Sequence, residues 1–264
     1  RNRTSPFAFT GNKFEFRMVG SNDSIACANT ILNSIVAESF AEASDYIEKA
    51  EDKDLAVHDL IKRYAAEHQR VVFNGNGYSD EWPVEAERRG LANHRTTADA
   101  LPCFVAPKSI ALFEEFGVLS EAEVESRYEV KLEKYNKLIN IEARTMKRMV
   151  RRAFLPALND YAAEVAGGIA TVRSAMAGAD VSSQEELLGK LLSGIKEINI
   201  QLKALDEAHH ANIEIKDQQE RANDNAHHVL PIMEDLRAAV DAMEIITDRD
   251  HWPVPTYNDI LFYV

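Results

Sequence analysis

The chain has 264 residues, 45% of them hydrophobic, enough to bury one large core or two modest ones. Its formal charge of −13 argues against a non-specific binder of nucleic acid or of anionic membranes. Cys27 and Cys103 offer neither metal-ligand spacing nor a disulfide framework, which points to a reduced, cytoplasmic setting, and no apolar run approaches the roughly 18 residues of a membrane span.

In chain order, the first segment departs from the rest. Residues 1–20 hold Arg1, Arg3, Lys13 and Arg17 against Glu15 alone, a net of +3 that leaves −16 for the remainder. A basic island on an acidic protein suggests an anionic ligand met locally. The chain opens on Arg1 inside a patterned segment, without an initiator Met, and reads as a fragment of something longer. From Lys13 to Met18 polar and apolar residues alternate, the period of a half-buried strand. Lys13, Glu15 and Arg17 then share one face, with Phe14, Phe16 and Met18 on the other. Thr10-Gly11-Asn12 reads as the preceding turn.

From about Asp23 the period becomes helical. Helices are expected over 23–49 and 54–70, then a short apolar run and a turn-rich loop over 71–83, then a helix over 97–116 broken near Pro102 and Pro107. Gly117 is a stop. Ser120 and Glu123 form a capping box opening a long helix to about Phe154. Pro156 suits the first turn of a further helix, reaching about Gly178. The longest helix starts at Ser182 or Ser183, with Leu188, Leu191, Ile195, Ile198, Leu202 and Leu205 on one stripe. Asn223 to Asn225 is expected to interrupt it, before a last helix over 226–247 and an aromatic, extended tail with Pro253 and Pro255. Long helices joined by short turns make an antiparallel bundle. Three domains are expected: 1–119, the bundle over 120–250, and the tail 251–264.

Two readings of the charged strand face stand side by side. One is an exposed, self-compensating charge ladder. The other is a phosphate and metal site, where a carboxylate supplies hard oxygen to Mg²⁺ or Mn²⁺ and flanking cations neutralise phosphoryl oxygens.

The run NRTSPFAFTGNKFEFR resembles a motif of glutamine synthetases, and in the form TGNKFEFR it is similar to their type III class. VVFNGNGYSDEWPVEAERRGL, TTADALP, FGVLSEAEVESRYE and HWPVPTYNDILF resemble further type III segments in order, so the likeness covers nearly the whole chain. It implies a mainly α chain whose short β segment completes the catalytic α+β domain, followed by a long antiparallel helical bundle. It also implies an ATP-dependent joining of glutamate and ammonia, through γ-glutamyl phosphate, in a homo-oligomeric, dodecameric ring. By this resemblance Glu15 is a metal ligand for Mg²⁺ or Mn²⁺. Arg17 is the catalytic residue holding the γ-carboxylate or its phosphate, and Arg3 and Lys13 contact the ATP phosphates. The remaining metal ligands and the ammonia-site acid fall outside the chain, so the segment alone is expected to be inactive. Two positions depart from the type I pattern: Ala8 stands where those enzymes have an arginine, and Met18-Val19-Gly20 where they have Phe-Pro-Asp. A related γ-glutamyl–amine ligase and a helical assembly module remain alternatives.

Other candidates read as structural. Asn74-Gly75-Asn76-Gly77 lacks the spacing of a phosphate loop and is a turn. His209-His210 and His227-His228 are adjacent pairs that point about 100° apart on a helix, which disfavours chelation by either pair. Trp82 and Trp252, each followed by Pro, are loop anchors, and the leucine stripe is bundle core or an intersubunit seam.

Overall fold

The computed structural model describes residues 24–261, together with the backbone of residues 7–9 and 14–16. It divides into two compact units, residues 1–95 with 102–128, and residues 96–101 with 129–264.

In the first unit, β1 (Phe7–Phe9) and β2 (Phe14–Phe16) pair antiparallel, with Ala8 opposite Glu15. Helices follow: α1 (Ala26–Glu48), α2 (Lys53–Glu67), α3 (Glu81–Arg88) and, beyond the α4 turn of the other unit, α5 (Pro107–Glu115). Asp52 caps α2 by accepting from the Leu55 amide at 3.0 Å. Gly90 and Gly117 end α3 and α5 with φ of 71° and 59°, where a Cβ would be strained, and Leu91 N–H donates back to the Ala86 carbonyl as a Schellman closure requires. Only Ser34 of α1 is buried, while Ile35, Val36 and Phe40 are exposed.

The second unit is built on three helical rods. α6 (Glu121–Met149) begins in the first unit and passes through a π turn, Val150–Phe154, into α7 (Leu155–Ala175). α8 (Ser182–Glu214) is the second rod. The third joins α9 (Gln218–Asp224) through another π turn, Asn225–Val229, to α10 (Leu230–Glu244). A one-turn helix, α4 (Thr97–Ala100), leans on α9, and α11 (Tyr257–Leu261) lies in the tail. Side-chain partners give the directions. Glu185 meets Arg173 and Asp206 meets Arg151, so α8 runs antiparallel to the first rod. Asn212 meets Asp224 near one end and Gly194 faces Met243 near the other, so the third rod returns antiparallel to α8. The core lies along their shared axis, with Ile139, Leu158, Leu191, Leu205, Val229 and Leu236 buried. The expected stripe belongs to it: Leu191, Ile198, Leu202 and Leu205 are buried and Leu188 and Ile195 pack against them.

Several expectations are corrected. The expectation of a short β segment completing an α+β domain is overturned: helix makes up 78% of residues 24–261, and the described strand consists of two three-residue strands paired with each other. Strands that short cannot build a sheet layer without further partners, so the segment completes no α+β domain here. The bundle has three continuous rods rather than separate helices. Pro156 lies in the first turn of α7 as expected, yet the helix does not break before it. Its ring crowds the carbonyl of Arg152 four residues back, and the wider π turn lets the helix pass. Pro231 and the carbonyl of His227 are related in the same way. The interruption anticipated at Asn223 to Asn225 falls instead at 215–217, where Asp217 accepts from the Glu220 amide at 2.7 Å and starts a new helix. Trp82 sits inside α3, not in a loop. Trp252 does anchor the tail, 9% exposed with its ring 5.1 Å from that of Phe154.

Candidate functional site

Of the four residues assigned to catalysis and binding, Arg3, Lys13 and Arg17 lie outside the described residues. Glu15 is the central residue of β2, directly across from Ala8.

The Asn74–Gly77 segment is held by local chemistry. Asn76 accepts from the Tyr78 amide through its side chain at 3.1 Å, and from the Ser79 amide and hydroxyl through its carbonyl. Phe73 stacks on Trp82 at 4.1 Å between ring centres, and the Arg89 guanidinium lies over both rings. A Cβ on Gly75 would stand 2.4 Å from the Phe73 ring, so the turn closes only around glycine. Arg89 also donates to the Val72 carbonyl at 2.8 Å and to Glu85. Hydrogen bonds from Arg88 and Arg89 hold the Glu85 carboxyl down at about 2.

Of the two adjacent histidine pairs, His209, His227 and His228 have polar partners at one end of the rods. Asn136 of α6 donates to the Gln218 carbonyl and side chain at 3.0 and 2.9 Å and accepts from Asn225 at 2.9 Å. Asn212 donates to Asp224 at 2.7 Å, and Asp224 also meets His228 at 2.7 Å. His227 pairs with Asp99 at 3.1 Å, and hydrogen bonds from Thr96 and then His227 pull that carboxyl below its usual range. His209 is 7% exposed, with Nε2 2.7 Å from Asn140 Oδ1 and Nδ1 3.1 Å from Lys147 Nζ. An ammonium can only donate, so Nδ1 is the acceptor and the ring proton sits on Nε2. Burial, then the charges of Lys147, Arg144 and Arg221, push the imidazole below its ordinary value, and Asp206 opposes them. His210 is exposed. Among the described residues no group of three His, Cys, Asp or Glu is placed to hold a metal ion. Cys27 and Cys103 are free thiols, and Cys103 Sγ lies 3.4 Å from His94 Nε2.

One feature escaped the sequence reading. Residues 144–152 place Arg144, Lys147, Arg148, Arg151 and Arg152 on about two turns of the first rod. Lys147 and Arg151 pair with Asp206, whereas Arg148 and Arg152 are exposed and carry no ion pair among the described residues. The signal is local: five basic residues within nine positions stand against an overall negative balance. No helix among the described residues is long and apolar enough to cross a membrane.

Comparison with known proteins gives these pieces a common frame. Residues 56–173 match the family model described as the glutamine synthetase C-terminal domain. A type-3 glutamine synthetase of Dictyostelium discoideum is 38% identical over 99% of the chain, which covers 37% of that relative. Glutamine synthetases of Butyrivibrio fibrisolvens and Bacteroides fragilis are 35% and 30% identical, again over 99% of the chain and 38% and 37% of their own lengths. The chain therefore spans less than two-fifths of the curated relatives it matches.

Proposed function

We propose that this chain, whose residues 56–173 match the glutamine synthetase C-terminal domain and which is 30–38% identical to three glutamine synthetases, supplies one part of an ATP-dependent glutamate–ammonia ligase that makes glutamine through γ-glutamyl phosphate. The observation that carries the reading is likeness to three glutamine synthetases over 99% of the chain.

The donor chemistry of β2 fits the divalent ion the reading implies. A carboxylate offers the hard oxygen that Mg²⁺ and Mn²⁺ take, and Glu15 supplies one. In this proposal Glu15 is a metal ligand, and the bound ion supplies charge neutralisation at the phosphoryl group. Arg17 binds and orients the glutamate γ-carboxylate through its planar fork, then holds the phosphate formed there. Arg3 and Lys13 bind the ATP phosphates and fix their register against the acceptor. The working assembly is a homo-oligomer, a dodecameric ring, in a reduced cytoplasmic compartment where Cys27 and Cys103 stay free. The helical unit is its scaffold.

The test is Glu15→Ala in the complete ligase, with ATP-dependent glutamine formation and Mn²⁺ affinity measured together. Activity and Mn²⁺ affinity should each fall by more than about 10–100-fold, the cost of losing only a residue that supports a metal ligand. Retained activity at ordinary metal concentration rejects the ligand role. Sedimentation of the same ligase tests the ring.

A further inference from the structure

We propose that the basic outer face of the first rod docks on the acidic outer face of α10 in a second copy of the chain. The contact rests on the homo-oligomer reading above and names the surfaces it uses. Residues 143–153 carry five basic side chains and no acidic one. Lys147 and Arg151, four residues apart across the start of the π turn, both pair with Asp206. A step of four therefore keeps side chains in line here, and Arg144, Arg148 and Arg152 form a second row beside them. All three are exposed and carry no ion pair among the described residues. Glu142 stands about 120–160° round the helix from Arg144 and Arg148, where it lines the groove towards α10, so it does not neutralise the row.

The outer face of α10 has the opposite sign. Glu234, Asp235, Ala238, Asp241, Ala242 and Ile245 are its exposed positions. Asp241 is engaged by Arg237 at 3.3 Å, whereas Glu234 and Asp235 carry no ion pair among the described residues. Each face also holds a bare isoleucine, Ile141 at 60% exposure and Ile245 at 86%. One antiparallel register satisfies the charges and the isoleucines together. With Ile245 opposite Ile141, Asp241 falls beside Arg144, Ala238 faces Arg148, and Glu234 meets Arg152 with Asp235 next to it. A parallel register that joins the isoleucines would carry the arginines past the end of α10 at Glu244. Within one copy the first and third rods run in the same direction, so the antiparallel contact needs a second copy. The net charge of −13 on each copy does not prevent it, because charges beyond about 8 Å are largely screened at physiological salt.

The experiment is sedimentation velocity of the complete ligase. The double change Arg148→Glu, Arg152→Glu should lower the sedimenting mass at least twofold, and so should Glu234→Arg, Asp235→Arg. All four changes together restore opposite signs across the contact and should return the mass to that of the parent. The four positions are exposed, and circular dichroism checks that the variants fold. If reversal unfolds the bundle, Arg148→Gln with Arg152→Gln removes the charges more gently and should still lower the mass. A mass that either reversed pair leaves unchanged overturns the proposal, and so does a four-change variant that stays dissociated. A parent that sediments as a single copy rejects the homo-oligomer reading itself, and this contact with it. A ring that survives both reversals rejects this contact alone.

Discussion

Asn136 joins two rods through one amide. It donates to Gln218 and accepts from Asn225 at the same time, and both asparagines are at most 2% exposed. A buried amide so committed fixes register, because sliding either rod by one residue would strand its donors. Asn136→Leu should therefore destabilise the protein by about 2–4 kcal/mol in urea unfolding, since Asn225 loses its partner while buried. His209 makes a second prediction. Its folded value lies below the unfolded 6.5, so the unfolded chain binds the extra proton. The stabilising difference is complete above pH 6.5 and is lost as pH falls towards the folded value, with a slope of at most about 1.4 kcal/mol per pH unit. Thermal midpoints measured from pH 7.5 to 5 should fall, and His209→Gln should flatten that part of the curve. Neither residue announces its role in the sequence. Asn136 finds its partners 82 and 89 positions away, a distance over which no local pattern speaks.

The elements were easier to read than their joints. Half of the capping box at Ser120 forms: Glu123 accepts from the Ser120 amide and hydroxyl, both at 2.9 Å, while the Glu123 amide donates to the Ser120 carbonyl rather than its side chain, and the two bonds to the carboxylate lower its affinity for protons. The period-2 alternation through Phe14 and Phe16 also corresponds to a strand, though a three-residue one. The π turns were invisible because each inserts a single residue, and the apolar pattern resumes on the far side with a shift of about 100°. Asn225 looked like a breaker on propensity alone, and tertiary hydrogen bonding overrode it. If the π turn at 150–154 is one inserted residue that accommodates Pro156, deleting Arg152 together with Pro156→Ala should restore an ordinary helix and keep Leu158, Ala162 and Ile169 facing the core. Deleting Ala163 should instead rotate Ile169 outward. The second deletion should cost at least 2 kcal/mol more than the first in chemical denaturation.

Across the molecule, what the sequence conveyed of function came from resemblance, and what it conveyed of form came from periodicity. The charges at Lys13, Glu15 and Arg17 could be placed on one face by alternation, but the alternation left a solvated ladder equally open. The three-rod unit closes with its tail, where Trp252 packs on Phe154 and His251 lies against Tyr161 and 3.2 Å from Glu164. Because the indole N–H of Trp252 finds no partner, packing alone holds it. Trp252→Ala should cost about 3–5 kcal/mol, while Trp252→Phe should recover most of that in the same unfolding measurement.

The order of the rods also bears on how the protein comes off the ribosome. Synthesis at roughly 5–20 residues per second takes seconds to deliver a helix the length of α8, whereas helices adjacent in the chain pair within about milliseconds. When Leu188 to Leu205 emerges, the first rod is already waiting, and only residues 176–181 separate them. The leucine stripe can be half covered as it appears and sealed when α9 and α10 follow. A chain wound in this order exposes its stickiest surface only for the time needed to make the next rod.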